Sequence, residues 1–246
     1  MPLRSILAAV FLLVLPARPI TVWLAGDSTM AQKQPDKRPE TGWGEALQPC
    51  FDSTQVRVAN RAMNGRSTRS FVAEGRWKAI VDSLKAGDYV FIQFGHNDEK
   101  VGTANYSSPD DYRRNLVHFV DDVRARGGHP VLFTPVVRRR FDGAHLVDTH
   151  GAYPDAARAA ANEAHVPLAD MTRASAALVE PLGPDSSRAL WLHLEPGANA
   201  NYPAGVHDDT HFNPRGAERM AGLAIDALRA LHLELATQLR SCPAKP

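Results

Sequence analysis

Short apolar runs recur along the chain at residues 20–25, 56–60, 89–94, 130–134 and 166–169, each followed by a helix-like or loop segment. Stretches with helical spacing lie between them, at 43–51, 70–85, 109–126 and 153–164. Within 111–126, Leu116, Val117, Phe119, Val120 and Val123 fall on one helical face. Pro109 stands where a helix start tolerates proline, and Gly127-Gly128 where a helix stops. A final helix is predicted over 214–238, with Met220, Leu223, Ala224, Leu228, Leu231 and Leu235 at its period. Strands alternating with helices predict an α/β fold: a parallel sheet covered on both faces, a three-layer α/β/α sandwich in one domain. Residues 171–213 break the pattern and collect Pro181, Pro184, Pro196, Gly197 and Pro203. A connection that long is usually functional or disordered. Its Trp191, His193 and Tyr202 either line a binding wall or pack over the sheet edge.

Composition narrows the partners. With 246 residues, 44% of them hydrophobic, the chain is large enough for one domain with a real core. A formal net charge of +1 leaves no global field to recruit nucleic acid, so attraction for an anionic partner must be local. Residues 1–4 are a short basic start, 5–15 are almost wholly apolar, and Pro16-Ala17 supplies a small-residue exit. That run is too short to span a bilayer, which needs about 20 residues. It is expected to be a secretory signal peptide over 1–17 before a mature domain at 18–246, which makes the protein secreted or periplasmic. The competing reading is a buried first strand or helix. Cys50 and Cys242 are the two cysteines. In an oxidising compartment they are able to pair, although sequence does not show whether their Cα atoms approach closely enough.

Three blocks at strand exits carry candidate chemistry. The first run ends abruptly in Gly26-Asp27-Ser28-Thr29-Met30, leaving a hydroxyl at a strand tip. Asn60 to Thr68 follow the second run, and Gly65 there lets a backbone N–H approach a substrate oxygen. Gly95-His96-Asn97-Asp98 follow the third, and the Asn97 side chain is able to donate to an oxyanion. Asp208 and His211, three residues apart before the last helix, suit a carboxylate orienting an imidazole. Each block alone has an ordinary explanation: a cap, a glycine turn, or a surface pair. Together they form a complete set for acyl transfer.

The set resembles the SGNH (GDSL-type) hydrolase family, with Ser28, Gly65, Asn97 and the Asp208–His211 pair at the matching positions in block order. Within it, the chain looks most like the rhamnogalacturonan acetylesterases, which deacetylate pectin. The supporting residues are Thr41-Gly42-Trp43-Gly44, Gly65-Arg66-Ser67-Thr68, Phe91 to Asp98, and Arg138-Arg139-Arg140-Phe141. The resemblance implies a flavodoxin-like sandwich of five parallel strands, Ser28, Asp208 and His211 as catalytic residues, and an oxyanion hole of the Ser28 N–H, the Gly65 N–H and the Asn97 side chain. It implies no metal and no cofactor. The expected partner is an acetylated polysaccharide or oligosaccharide. Arg138, Arg139 and Arg140 are candidates to bind galacturonate carboxylates, with pairing to Asp142 and Asp148 as the bland alternative. Trp191 is a candidate wall for the sugar.

Three rival readings compete with this one. Asp27, His96, Asp98, Asp208 and His211 could serve as ligands of a metal-dependent phosphoesterase. Against it, the order Gly-His-Asn-Asp differs from the Gly-Asn-His block that such enzymes resemble. A non-catalytic carbohydrate-binding protein has no use for an Asp–His pair. A neighbouring specificity, for acetylated xylan, a lipid or a thioester, turns on pocket loops that the sequence does not place.

Overall fold

A computed structural model describes residues 18–240 and Cys242. The expected signal peptide over 1–17 lies outside the described residues. Five parallel strands form the central sheet in the order β2-β1-β3-β4-β7. They are β1 (Ile20–Gly26), β2 (Val56–Asn60), β3 (Tyr89–Gln93), β4 (His129–Phe133) and β7 (Leu168–Ala169). Registers such as Leu24 opposite both Asn60 and Phe91, and Ile92 opposite Leu132, bring the strand exits to one edge. The order reverses beside β1, so the edge next to Ser28 is where a ligand crevice opens in such sheets.

Alternation along each strand divides the core. Val22 and Leu24, Phe91, and Val131 and Phe133 face one apolar cluster, completed by α5 (Met171–Val179) and α7 (Pro214–Ala230). Trp23 and Ala25, Val90 and Ile92, and Leu132 face the other. That side is covered by α1 (Thr68–Ala73), α2 (Arg76–Ser83), α3 (Pro109–Ala125) and α4 (Tyr153–Glu163). Both faces of a parallel sheet are buried, which explains strands read as continuous apolar runs.

Several expected elements are corrected. The helix expected over 43–51 is a pair of 3-10 turns, Trp43–Ala46 and Gln48–Cys50, because Pro49 cannot donate to a continuing helix. The helix expected over 70–85 splits at Gly75, whose φ of 70° is left-handed. The last helix ends at Ala230, and the residues beyond it re-form only as a 3-10 turn, Glu234–Gln238. The irregular stretch is ordered: α5, the one-turn α6 (Gly183–Ser186), and an antiparallel pair, β8 (Trp191–Leu194) with β9 (Val206–Phe212). A smaller hairpin, β5 (Phe141–Asp142) with β6 (His145–Leu146), follows the arginine run. Cys50 and Cys242 form a disulfide with Cα atoms 4.2 Å apart. Beside it the Arg240 N–H donates to the Cys50 carbonyl at 2.8 Å, holding the tail against the body.

Candidate active site

Ser28 sits two residues past β1, in a turn where the Met30 and Ala31 N–H groups donate to the Asp27 carbonyl. Gly26 is required there by packing: a Cβ on it would lie 2.7 Å from the Gln93 carbonyl oxygen. Behind the turn, Gln93 donates to Thr29 Oγ1 at 2.7 Å and accepts from Trp43 Nε1 at 2.9 Å. The nucleophile turn is thereby clamped to β3.

Asp208 and His211 lie on strand β9, where a loop before the last helix was expected. The β8–β9 register explains how they meet. Leu192 pairs with Asp208 while its neighbour Trp191 pairs with Phe212, so residues 209–211 bulge out of the ladder. Asp208 Oδ1 accepts the Thr210 and His211 N–H groups at 2.7 and 2.9 Å, closing the bulge as an Asx turn. In that geometry His211 Nδ1 donates to Asp208 Oδ2 at 2.7 Å, and Ser28 Oγ donates to His211 Nε2 at 2.8 Å. Burial alone would raise the Asp208 carboxyl. The hydrogen bond and charge of the His211 ring, with the backbone donors, outweigh it and hold the carboxyl at about 2. A hydroxyl joined this way to an imidazole and a fixed carboxylate can lose its proton as it attacks.

A cavity of about 500 Å³ opens over Ser28, with Gly65, Asn97, His211 and Tyr202 in its wall. Gly65 has φ 75°, and nothing lies within 4 Å of where a Cβ would be, so conformation rather than space demands glycine. Among the described residues, neither the Ser28 nor the Gly65 N–H has a backbone partner. Asn97 Nδ2 donates one hydrogen to the Arg66 carbonyl at 3.0 Å and retains a second. Of the remaining sequence candidates, Tyr202 and Arg138 line the cavity.

Trp191 is corrected: it is fully buried, packed in the core against Phe212 with ring centroids 5.5 Å apart and planes inclined by 54°, and does not line the cavity. The arginine run divides. Arg138 reaches the cavity wall with its guanidinium 2.5 Å from Glu99. Arg139 is buried, bonding Asp209, Ser187 and the Pro184 carbonyl. Arg140 is exposed and outside the cavity lining. None of the three pairs with Asp142 or Asp148. Sequence reasoning missed Lys33, Glu40 and Lys100. The Lys33 ammonium is 2.7 Å from Glu40, which also lies 3.9 Å from His211 Nε2. No periodicity marks such residues, since they sit in loops.

Beneath the site, His96 Nδ1 donates to Asp27 Oδ2 at 3.1 Å, and its buried Nε2 has no partner among the described residues. Burial pushes the His96 imidazole down to about 4, against the pull of Asp27, with His150 and Arg138 adding to the push. Burial likewise drives the Asp98 carboxyl up to about 7, against hydrogen bonds from Thr68 and Gly95.

The profile of the GDSL-like Lipase/Acylhydrolase family matches residues 24–219. Rhamnogalacturonan acetylesterase RhgT of Bacillus subtilis (strain 168) is 43% identical over 226 residues, covering 91% of this chain and 96% of that protein. Among solved structures, the YXIM protein of Bacillus subtilis superposes with a TM-score of 0.76 at 26% identity, over 89% of this chain and 58% of that one. Axe2, an acetylxylan esterase from Geobacillus stearothermophilus, has a TM-score of 0.57 at 18% identity, over 91% and 98% of the two chains, a likeness of fold alone. The chain belongs to the GDSL-like lipase/acylhydrolase family of ester hydrolases.

Proposed function

We propose that this protein removes O-acetyl groups from pectin, with acetylated rhamnogalacturonan as substrate, through a serine acyl-enzyme. The observation that carries the reading is the continuous chain from Ser28 Oγ to His211 Nε2 at 2.8 Å and from His211 Nδ1 to Asp208 Oδ2 at 2.7 Å. The 43% identity to RhgT, named a rhamnogalacturonan acetylesterase, supports the substrate class. Polar walls supplied by Lys37, Asn64 and Tyr202 suit a sugar better than a long acyl chain.

His211 takes the Ser28 proton as Oγ attacks the acetyl carbonyl. The Ser28 N–H, the Gly65 N–H and the free Asn97 N–H receive the oxyanion. On collapse, His211 returns the proton to the departing sugar hydroxyl and acetyl stays on Oγ. A water, deprotonated by His211, then attacks the ester; the bond to Oγ breaks, Oγ takes that proton back from His211, and acetate is released. Asp208 stays ionised throughout and stabilises the imidazolium. Export is part of the same reading, supported by the basic-then-apolar pattern at 1–17 and by the Cys50–Cys242 disulfide, which an oxidising compartment maintains.

Mass spectrometry of acetylated rhamnogalacturonan and xylan oligosaccharides, incubated with purified protein, tests the proposal. Acetyl loss from the pectic oligosaccharides, absent with Ser28→Ala, is the expected result. Loss from xylan alone would overturn the substrate class, and turnover surviving in Ser28→Ala would overturn the mechanism.

A further inference from the structure

Lys100 lies three residues beyond Asn97 in the same turn, and both line the cavity over Ser28. Its ammonium donates to Asn97 Oδ1 at 2.8 Å. The other end of the same amide donates to the Arg66 carbonyl at 3.0 Å. A carboxamide has one acceptor oxygen and two N–H donors. With the oxygen held by a cation and one N–H held by a carbonyl, the amide is fixed at both ends. Reversing it would set its oxygen against the Arg66 carbonyl and its NH₂ against an ammonium. The remaining N–H is left for a ligand in the cavity. Asn97 is 3% exposed, so the bond on its oxygen is partly shielded from water and correspondingly strong.

The cation also alters the amide electronically. An ammonium on Oδ1 draws density from the amide nitrogen and strengthens its N–H donors. The effect is greatest when negative charge builds on the acceptor, as it does on an oxyanion and not on a ground-state ester.

We infer that Lys100 is a positioning residue of the oxyanion hole, acting through Asn97 to orient and polarise the amide that receives the tetrahedral charge. The inference rests on the proposed role of Asn97. Lys100 itself touches no reacting atom. It contributes to kcat rather than to substrate binding, which separates it from a lysine that pairs with a uronate carboxylate.

A double-mutant cycle on a small, neutral acetyl ester tests this. Lys100 is exposed, so Lys100→Met should not threaten the fold. Asn97→Ala is expected to lower kcat by about 10²- to 10³-fold, the loss of one oxyanion donor, and Lys100→Met by about tenfold with KM little changed. The double variant should be no slower than Asn97→Ala alone, and Lys100→Arg should recover most of the rate. Multiplying losses in the double variant would overturn the inference, as would an unchanged kcat in Lys100→Met. So would a Lys100→Met defect confined to KM on the charged polymer, which would mark a substrate contact. If Asn97→Ala itself left kcat unchanged, the oxyanion role of Asn97 would fall and this inference with it. A normal Asn97→Ala loss beside an inert Lys100→Met sinks this inference alone.

Discussion

The Lys33 ammonium donates to the Ser28 carbonyl oxygen at 2.5 Å from a side chain wholly shielded from solvent. It also donates to Asn64 Oδ1 at 2.9 Å and pairs with Glu40 at 2.7 Å. One buried cation therefore ties the turn carrying the nucleophile to the turn before Gly65 and to a carboxylate in the cavity wall. Removing it strands Glu40, and breaking one partner from a buried pair costs about 3–5 kcal/mol. Lys33→Met should lower the free energy of urea unfolding by that order, and Lys33→Met/Glu40→Gln should recover part of the loss. A single variant as stable as the parent would show that the pair carries no net stabilisation.

The Asp208 carboxyl, held at about 2, remains ionised across the working range of an esterase. The base works only when neutral, so kcat/KM should fall on acidification without following the Asp208 carboxyl. Asp208→Asn should lower kcat by about 10⁴-fold by removing the fixed partner of the imidazole, as in triads of this logic. An acid limb that tracked the carboxyl would contradict its staying ionised, and an Asp208→Asn variant of near-parental rate would remove Asp208 from the machinery.

His96 and Asp98 set opposing pH dependences of stability. The unfolded imidazole takes a proton near 6.5 and the folded one only near 4, so the His96 contribution is lost as pH falls through that window. Asp98 runs the other way. Its folded carboxyl binds a proton below about 7 and its unfolded one only below 3.8, so its contribution is present at low pH and lost as pH rises. Asp27, held at about 2 against its burial by His96 and Thr29, changes stability only below its ordinary 3.8. Between about pH 4 and 6.5 the first two offset, each on the order of 3 kcal/mol. Wild-type stability should be nearly flat there. Asp98→Asn, which mimics the neutral acid, should lose stability steadily toward pH 4. Parallel pH profiles for the two proteins would contradict the assignment.

The sheet and the site were legible in the sequence to different depths. The strands of the sheet read as apolar runs because both of its faces are buried, and Ser28, Gly65 and Asn97 stand at their exits. The pairing of Asp208 with His211 was visible as a spacing, but not the strand that carries it. β9 is half-exposed and polar, Val-His-Asp-Asp-Thr-His-Phe, without the apolar alternation that marks a strand. Its bulge is fixed by its register with the partner strand β8, which no residue pattern announces. Trp191 suits a sugar wall and core packing equally in sequence, as aromatic residues in a proline-rich stretch do, and only the tertiary contact with Phe212 decides between them. Lys33 and Lys100 look like ordinary surface lysines in sequence, and their roles depend on which loop each side chain meets.

The Cys50–Cys242 disulfide closes a loop across a sequence separation of 192 residues. A link over so long a loop restricts the unfolded chain strongly, and native disulfides typically contribute about 2–4 kcal/mol. The tail has other anchors: the Arg240–Asp52 ion pair at 2.6 Å and the bridge of Phe51 with Leu239. Cys242→Ser should therefore fold, bind and turn over normally, with a lower midpoint of chemical unfolding. An unchanged midpoint under non-reducing conditions would mean that the anchors alone hold the tail.

The consecutive arginines 138–140, in sequence three equal candidates for a uronate contact, should separate into three behaviours. Arg139 is held by the Asp209 carboxylate at 2.6 Å and by the Ser187 hydroxyl at 3.0 Å, and its side chain is 9% exposed. Arg139→Met should cost about 2 kcal/mol of stability, because polar groups ordered around the guanidinium lose their donor. Its Asp209 partner also meets His193 Nε2 at 2.8 Å, so the loss is shared with β8 rather than left as an isolated buried charge. Arg140→Ala, exposed and outside the cavity, should leave both stability and KM within error. Arg138→Ala removes a cation from the cavity wall and one partner of Glu99, which keeps His150 Nδ1 at 2.9 Å. It should raise KM on acetylated rhamnogalacturonan, whose uronate charges lose that cation, and leave KM on a neutral acetyl ester unchanged. Raising the salt concentration should narrow that difference, since screening weakens charge–charge interactions. Equal KM losses on both esters would show that Arg138 shapes the site by packing and not by charge.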